Sequence, residues 1–329
     1  MPQKIWTPRN PFGRDLGINE PTNDAERSAL CGVAIAEIEP YWNSAAAAEN
    51  HPTFFIAGAT QEREDTVRGW DVYREITGMD PPTIPQPTGN CVGAASEEVV
   101  QLTQCVDIKA GEREVFKDIM NAYHYAYGRV IVGKNRLRGG PGSIGGWQAT
   151  AHKQGGCLPL DVNDHLPEYN KRNVDRWGDD KEAEGQTFRQ YIDAADDFLI
   201  GTTARINTMS ELFDALSNNH YCTIASNRGY SKKPKGGKLG YHYPSGSWSH
   251  QMQIWGFSIS GDWVAIKNQW GRKIHGVIED LETGELWPGG FLRVRLDDFE
   301  KKHLRGSECI AYSRFQGFPE QRFDYGQLG

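Results

Sequence analysis

No run in this 329-residue chain approaches the roughly 18 apolar residues that a membrane span requires, so no membrane partner is expected. The N-terminus, Met1-Pro2-Gln3-Lys4-Ile5-Trp6, has no apolar stretch of secretory type behind it, which leads us to expect a cytoplasmic protein, one that could be packaged in a larger assembly. Positive charge is also in deficit: 36 Lys+Arg face 43 Asp+Glu, a net charge of −7. Phosphate neutralisation needs clustered Lys and Arg, and the one basic cluster, Arg228 to Lys238, is short, Gly-rich and reads as a solvated loop, so no nucleic acid is expected either. Cysteines number six, with no CxxC pair and no Cys/His group at zinc spacing, too few for a disulfide scaffold and no signal for a metal site. Internal repeats and low-complexity tracts are lacking. What is there, 38 % hydrophobic, 11 % aromatic and 24 % charged, is the composition of a folded globular protein of one large domain or two modest ones.

Residues 1 to about 30, rich in Pro, Asn and charge, read as an extended arm. Leu30, Val33, Ala34 and Ile38 fall at helical spacing and predict a helix over about 24–41, and a second is expected over about 66–77. The prolines at 81, 82, 85 and 87 exclude helix and central strand and mark a boundary. Beyond it, Ala95, Val99, Leu102 and Val106 give one apolar face to a helix with Cys91 in its first turn. A helix over 113–127, a strand at 129–132, a Gly-rich loop over 139–146 and a short helix over 147–154 are expected next. Residues 161–197 read as charged surface. After Gly201 the pattern is mainly β. Thr208-Met209-Ser210-Glu211 has the capping-box form, and strands are expected at 221–226, 250–258, 263–268, 290–296 and 307–315.

A cysteine at a helix N-terminus faces free N–H groups and the positive end of the helix dipole, which favour the thiolate. Taken alone, though, Cys91 reads first as an ordinary buried residue opening a core helix, as Cys31, Cys105, Cys222 and Cys309 also do. His250 and Asn268 change the balance. If their strands form a hairpin turning near Ile259, positions summing to 518 face each other, and His250 lies opposite Asn268. The Asn carbonyl can then accept from one imidazole nitrogen and leave the other to take a thiol proton.

At this point the sequence resembles the papain-like cysteine peptidases. The likeness rests on Gln86 and Gly89-Asn90-Cys91, on Gly146-Trp147-Gln148-Ala149 with Gly155-Gly156, on Ser249-His250, and above all on Lys267-Asn268-Gln269-Trp270-Gly271, similar to the family's K-N-S-W-G segment. It covers residues 86 to about 315. The resemblance implies an α+β, two-lobed papain-like fold: a helical lobe over 86–200 carrying the Cys nucleophile and a β-rich lobe over 201–329 carrying His and Asn, with residues 1–85 as an N-terminal extension, propeptide-like or docking. It implies Cys91 as nucleophile, His250 as base and then acid in a thiolate–imidazolium pair, and Asn268 as its orienter. Trp270 would shield that bond, Gln86 would furnish the oxyanion hole, and Gly139, Gly140, Gly145, Gly146 and Ser249 would border the substrate groove. No cofactor is implied, and the partner is a polypeptide hydrolysed through a thioester.

The chain also departs from the pattern. Gln86 lies one position nearer the nucleophile than is usual, Val92 stands where an aromatic residue is usual, and Thr88 replaces a cysteine of the family. An insertion with His275 and Trp287 separates Gly271 from Gly290. Two other functions stay open: a papain-like fold used as a structural or assembly component, for instance of a virion, with a partner for the N-terminal arm, and a cell-wall amidase or acyl transferase using Cys/His chemistry.

Overall fold

The computed structural model describes residues 21–54, 63–111, 115–162, 165–196 and 199–315. The expected arm up to residue 20 and the C-terminal tail from residue 316 lie outside them. In chain order the elements are α1 (Asp24–Leu30), α2 (Ile35–Trp42), α3 (Ala45–Asn50), β1 (Thr66–Arg68), α4 (Gly69–Thr77), α5 (Cys91–Lys109), α6 (Asn121–Tyr127), α7 (Gly145–Gln154), α8 (Lys171–Gly178), α9 (Ile192–Asp196), β2 (Ile200–Arg205), α10 (Met209–Ser217), β3 (Cys222–Ser226), β4 (His250–Ser258), β5 (Trp263–Lys267), β6 (Phe291–Val294), α11 (Leu296–Phe299) and β7 (Glu308–Phe315). Among the described residues the strands make one sheet in the order β2-β7-β3-β4-β5-β6, all neighbours antiparallel. β3 and β1 share one edge of β4, β3 pairing Ser226 to Cys222 with His250 to Ile254, and β1 pairing Arg68 to Thr66 with Gly256 to Ser258.

Strands β3 to β6 are buried at every position. With cover on both faces β5 runs apolar from Trp263 to Ile266, and the polar side chains of β4, among them His250, Gln251 and Gln253, are buried as well. α5 is buried from Cys91 through Cys105, the environment of a helix packed on all sides, so its polar groups must find internal partners. Glu98 pairs with the Lys267 ammonium of β5, and Glu97 accepts from the Asn121 amide at 2.6 Å. Val99, Val100 and Leu102 of α5 pack on the sheet with Ile224, Met252 and Ile254, while Cys91 and Val92 at its head belong to a second apolar cluster with Tyr123, Tyr125 and Trp177.

Several local expectations are corrected. The helix expected over 24–41 is two helices, because residues 31–34 are drawn straight by backbone bonds to Ser143 and Ser249. Thr66 to Arg68 pair with β4, so that helix starts only at Gly69. Residues 115–120 are not helical, and 129–132 form a π-helical turn continuing α6 rather than a strand. Arg129 lies in this turn, its buried guanidinium reaching the carbonyls of Gly178, Gly142 and Leu137. The capping box is present, Thr208 Oγ1 accepting from the Glu211 N–H and the Glu211 carboxylate from the Thr208 N–H, each at 3.1 Å. Among the described residues no helix is long and apolar enough to cross a membrane.

Candidate active site

Asn90, at the cap position of α5, turns its amide to Asn121 (3.0 Å) and Tyr169 (3.1 Å) instead of capping the helix. The Cys91 sulfur is faced by the backbone amides of Gln251, Gly32 and Val92, which favour the thiolate, yet complete burial outweighs them and pushes the thiol up to about 12.

His250 opens β4 and Asn268 follows β5. The imidazole Nε2 donates to Asn268 Oδ1 at 2.9 Å, and Trp270 lies over the ring, centroids 4.5 Å apart. With Nε2 engaged, Nδ1 carries the lone pair, and it has no hydrogen-bond partner. Burial holds His250 down to about 4, with the Asn268 bond opposing that shift. Burial thus favours the uncharged form of both groups, thiol and imidazole, in this closed arrangement.

The reason for this burial is the segment joining α1 to α2. Residues 31–34, together with the Leu30 carbonyl at the end of α1, cross the site as a strap. The Leu30 carbonyl accepts from Gln86 Nε2 at 2.7 Å, Val33 N–H donates to the Ser249 carbonyl at 2.9 Å, Ser143 N–H to the Gly32 carbonyl at 2.7 Å, and Ala34 N–H to the Ser143 carbonyl at 2.8 Å. The strap presents the Gly32 N–H to Sγ. Contact is so close at Gly32 that an added Cβ would lie 1.7 Å from the Gly89 carbonyl oxygen. Cys31, expected to be a core residue, sits instead half-buried beside the Ser249 backbone.

Gln86 is buried and delivers its amide N–H groups to the Leu30 and Thr88 carbonyls. Of the loop expected to border the groove, Gly142 and Ser143 meet the strap, whereas Gly139 and Gly140 are exposed and outside that contact. Gly145 and Gly146 lie in the first turn of α7, their N–H groups held by the buried Glu308 carboxylate at 3.0 and 2.6 Å. Burial pushes that carboxyl up to about 7 despite the two donors. Ser249 contributes its backbone carbonyl.

No protein-family model matches the chain, and no curated protein matches it in sequence. Its three-dimensional structure is similar to that of xylellain, a cysteine protease from Xylella fastidiosa, with a TM-score of 0.56 over 87 % of this chain and 96 % of that one, at 12 % identity. The fold is papain-like. Procathepsin B S9 from Trypanosoma congolense matches with a TM-score of 0.55 over 91 % of this chain and 89 % of that one at 13 % identity, and the ragweed pollen cysteine protease Amb a 11 in its proform with 0.52 over 89 % and 78 %, also at 13 %. On this papain-like frame the strap, Glu308 and His275 are features that spacing in the sequence did not single out for a role.

Proposed function

We propose that this protein is a cysteine peptidase that hydrolyses peptide or isopeptide bonds through a Cys91–His250–Asn268 triad and a thioester. The observation that carries the reading is the Asn268-anchored imidazole under Trp270, with Nδ1 left as a free base. Cys91 Sγ attacks the substrate carbonyl carbon as His250 Nδ1 takes the thiol proton. The oxyanion is stabilised by Gln86 Nε2, which already donates to a carbonyl in the cleft, and by the Cys91 N–H. His250 then protonates the leaving amine, and afterwards takes a proton from the water that hydrolyses the thioester, freeing Cys91.

In this reading the strap is an inhibitory segment that occupies the cleft in a form Cys91 cannot attack. Two of the structural neighbours are themselves proforms. Strap release readmits water, which brings the thiol down and the imidazole up, towards the ion pair. The test is hydrolysis of an unfolded protein by full-length chain and by a chain released from its strap, each with and without Cys91→Ala. Cys91→Ala should abolish turnover, and a thiol-directed inactivator should add one adduct at Cys91. Turnover that survives Cys91→Ala refutes the assignment.

A further inference from the structure

Asn268 makes a second bond that catalysis as written above does not use. Its Nδ2 lies 2.9 Å from Nε2 of His275, a residue 1 % exposed within the insertion between Gly271 and Gly290. An amide nitrogen only donates, so His275 Nε2 accepts, and the imidazole is neutral with its hydrogen on Nδ1, which is buried and makes no hydrogen bond. Burial, aided by the neighbouring His242 and His250, holds His275 well below the ordinary histidine range and keeps it an acceptor at neutral pH.

The insertion is held tightly enough to fix this contact. Its ends close through Gly290 N–H to the Arg272 carbonyl at 3.0 Å. Asp280 takes both Arg68 nitrogens at 2.9 Å and the Trp287 indole N–H at 2.9 Å, while Trp287 packs on Trp70 and Trp263. His242 donates from Nε2 to the His275 carbonyl at 2.9 Å and accepts the Arg293 N–H on Nδ1 at 3.2 Å, so the tautomer of His242 is fixed too.

We infer that His275 is a positioning residue for the triad: by accepting from Asn268 Nδ2 it holds the amide with Oδ1 towards His250, and so keeps the His250 hydrogen on Nε2 and the lone pair on Nδ1, where the Cys91 proton is taken. Without an acceptor at that place the amide is free to turn over. Its NH2 would then face His250 Nε2, which must become the acceptor, and Nδ1 would carry a hydrogen and lose its function as a base. The inference rests on the peptidase reading for its catalytic meaning, but its structural content does not depend on turnover.

The experiment is 15N-histidine NMR of the full chain, which reads the protonated nitrogen of each imidazole. Wild-type His250 should be the Nε2–H tautomer. In His275→Met the Nδ1–H form should grow, and in His275→Gln, whose amide oxygen can stand in for Nε2, the wild-type tautomer should return. In an Asn268→Ala background His275→Met should change nothing further at His250. Should His275→Met fail to fold, His275→Asn, too short to reach, carries the same expectation. An unchanged His250 tautomer in a folded acceptor-less variant overturns the inference. Where turnover is measured, the acceptor-less variant should lose at least about tenfold in kcat with KM unchanged, the size expected of a group that orients a catalytic residue. A rise in KM alone would also overturn it. A chain released from its strap that shows no turnover counts against the peptidase reading and leaves the tautomer result standing.

Discussion

Gly32→Ala is the smallest change that should open the cleft. Gly32 does not have a positive φ, so alanine meets no backbone strain of its own, and the effect is purely that of one methyl group. That methyl would fall 1.7 Å from the Gly89 carbonyl oxygen and 2.3 Å from its carbon, both backbone atoms that cannot rotate away. The strap must lift, and with it go the four hydrogen bonds to Gln86, Ser143 and Ser249. At about 0.5–1.5 kcal/mol net for each, they hold the closed form by about 2–6 kcal/mol, which leaves the site open roughly one part in 30 to one in 10⁴. Gly32→Ala should therefore raise the rate at which a thiol-directed inactivator labels Cys91 by at least about 30-fold. Peptide mapping separates that adduct from one at Cys31, and circular dichroism checks the fold. A folded Gly32→Ala protein that labels Cys91 at the wild-type rate would refute the claim that the strap closes the site.

Two further expectations concern what lies beneath the cleft. Glu308 is pushed up to about 7 from an ordinary 4.5, so its stabilising contribution is complete below about pH 4.5 and is lost as pH rises towards 7. Urea unfolding should show wild type losing about 2–3 kcal/mol more than Glu308→Gln between pH 5 and 8, and parallel profiles would sink the assignment. Lys267→Met strands the Glu98 carboxylate in the core and should cost about 3–5 kcal/mol in the same assay, much of it recovered by adding Glu98→Met; a cost under about 1 kcal/mol would mean that the pair does not hold β5 to α5.

The parts of the site that could be read from sequence are those that rest on local pattern. α5 with Cys91 at its head follows from the apolar spacing of Ala95, Val99, Leu102 and Val106 and from the prolines before it. The limits of β4 were legible because Met252, Ile254, Trp255 and Phe257 fall between segments rich in Gly and Ser. The strap was not, because the helical spacing of Leu30, Val33, Ala34 and Ile38 runs through it, and the lone Gly32, which costs a helix about 1 kcal/mol, does not by itself break residues 31–34. What straightens them is pairing with Ser143 and Ser249, more than one hundred residues away. Glu308 was invisible for the same reason, since its donors Gly145 and Gly146 come from another part of the chain. His275 stood out only as a residue of an insertion, because neither its spacing nor its neighbours mark it as an acceptor for Asn268.

The pairing of His250 with Asn268 shows how such a reading can reach the right contact by the wrong register. The expected hairpin set partners summing to 518. In the structure the four-residue loop Ile259 to Asp262 joins Ser258 to Trp263, a sum of 521. Continued without interruption, that register would leave His250 and Asn268 on opposite faces of the sheet, because side chains alternate with a period of two. The bulge between Ile254 and Gly256 inserts Trp255 as an unpaired residue, and from Ile254 onward partners sum to 520. An even sum restores the shared face. Asn268 then falls level with Met252, one step along the same face from His250, and its side chain spans that step to make the 2.9 Å bond. The bulge is thus part of the site: it converts a loop of the wrong parity into a strand pair that places base and orienter together.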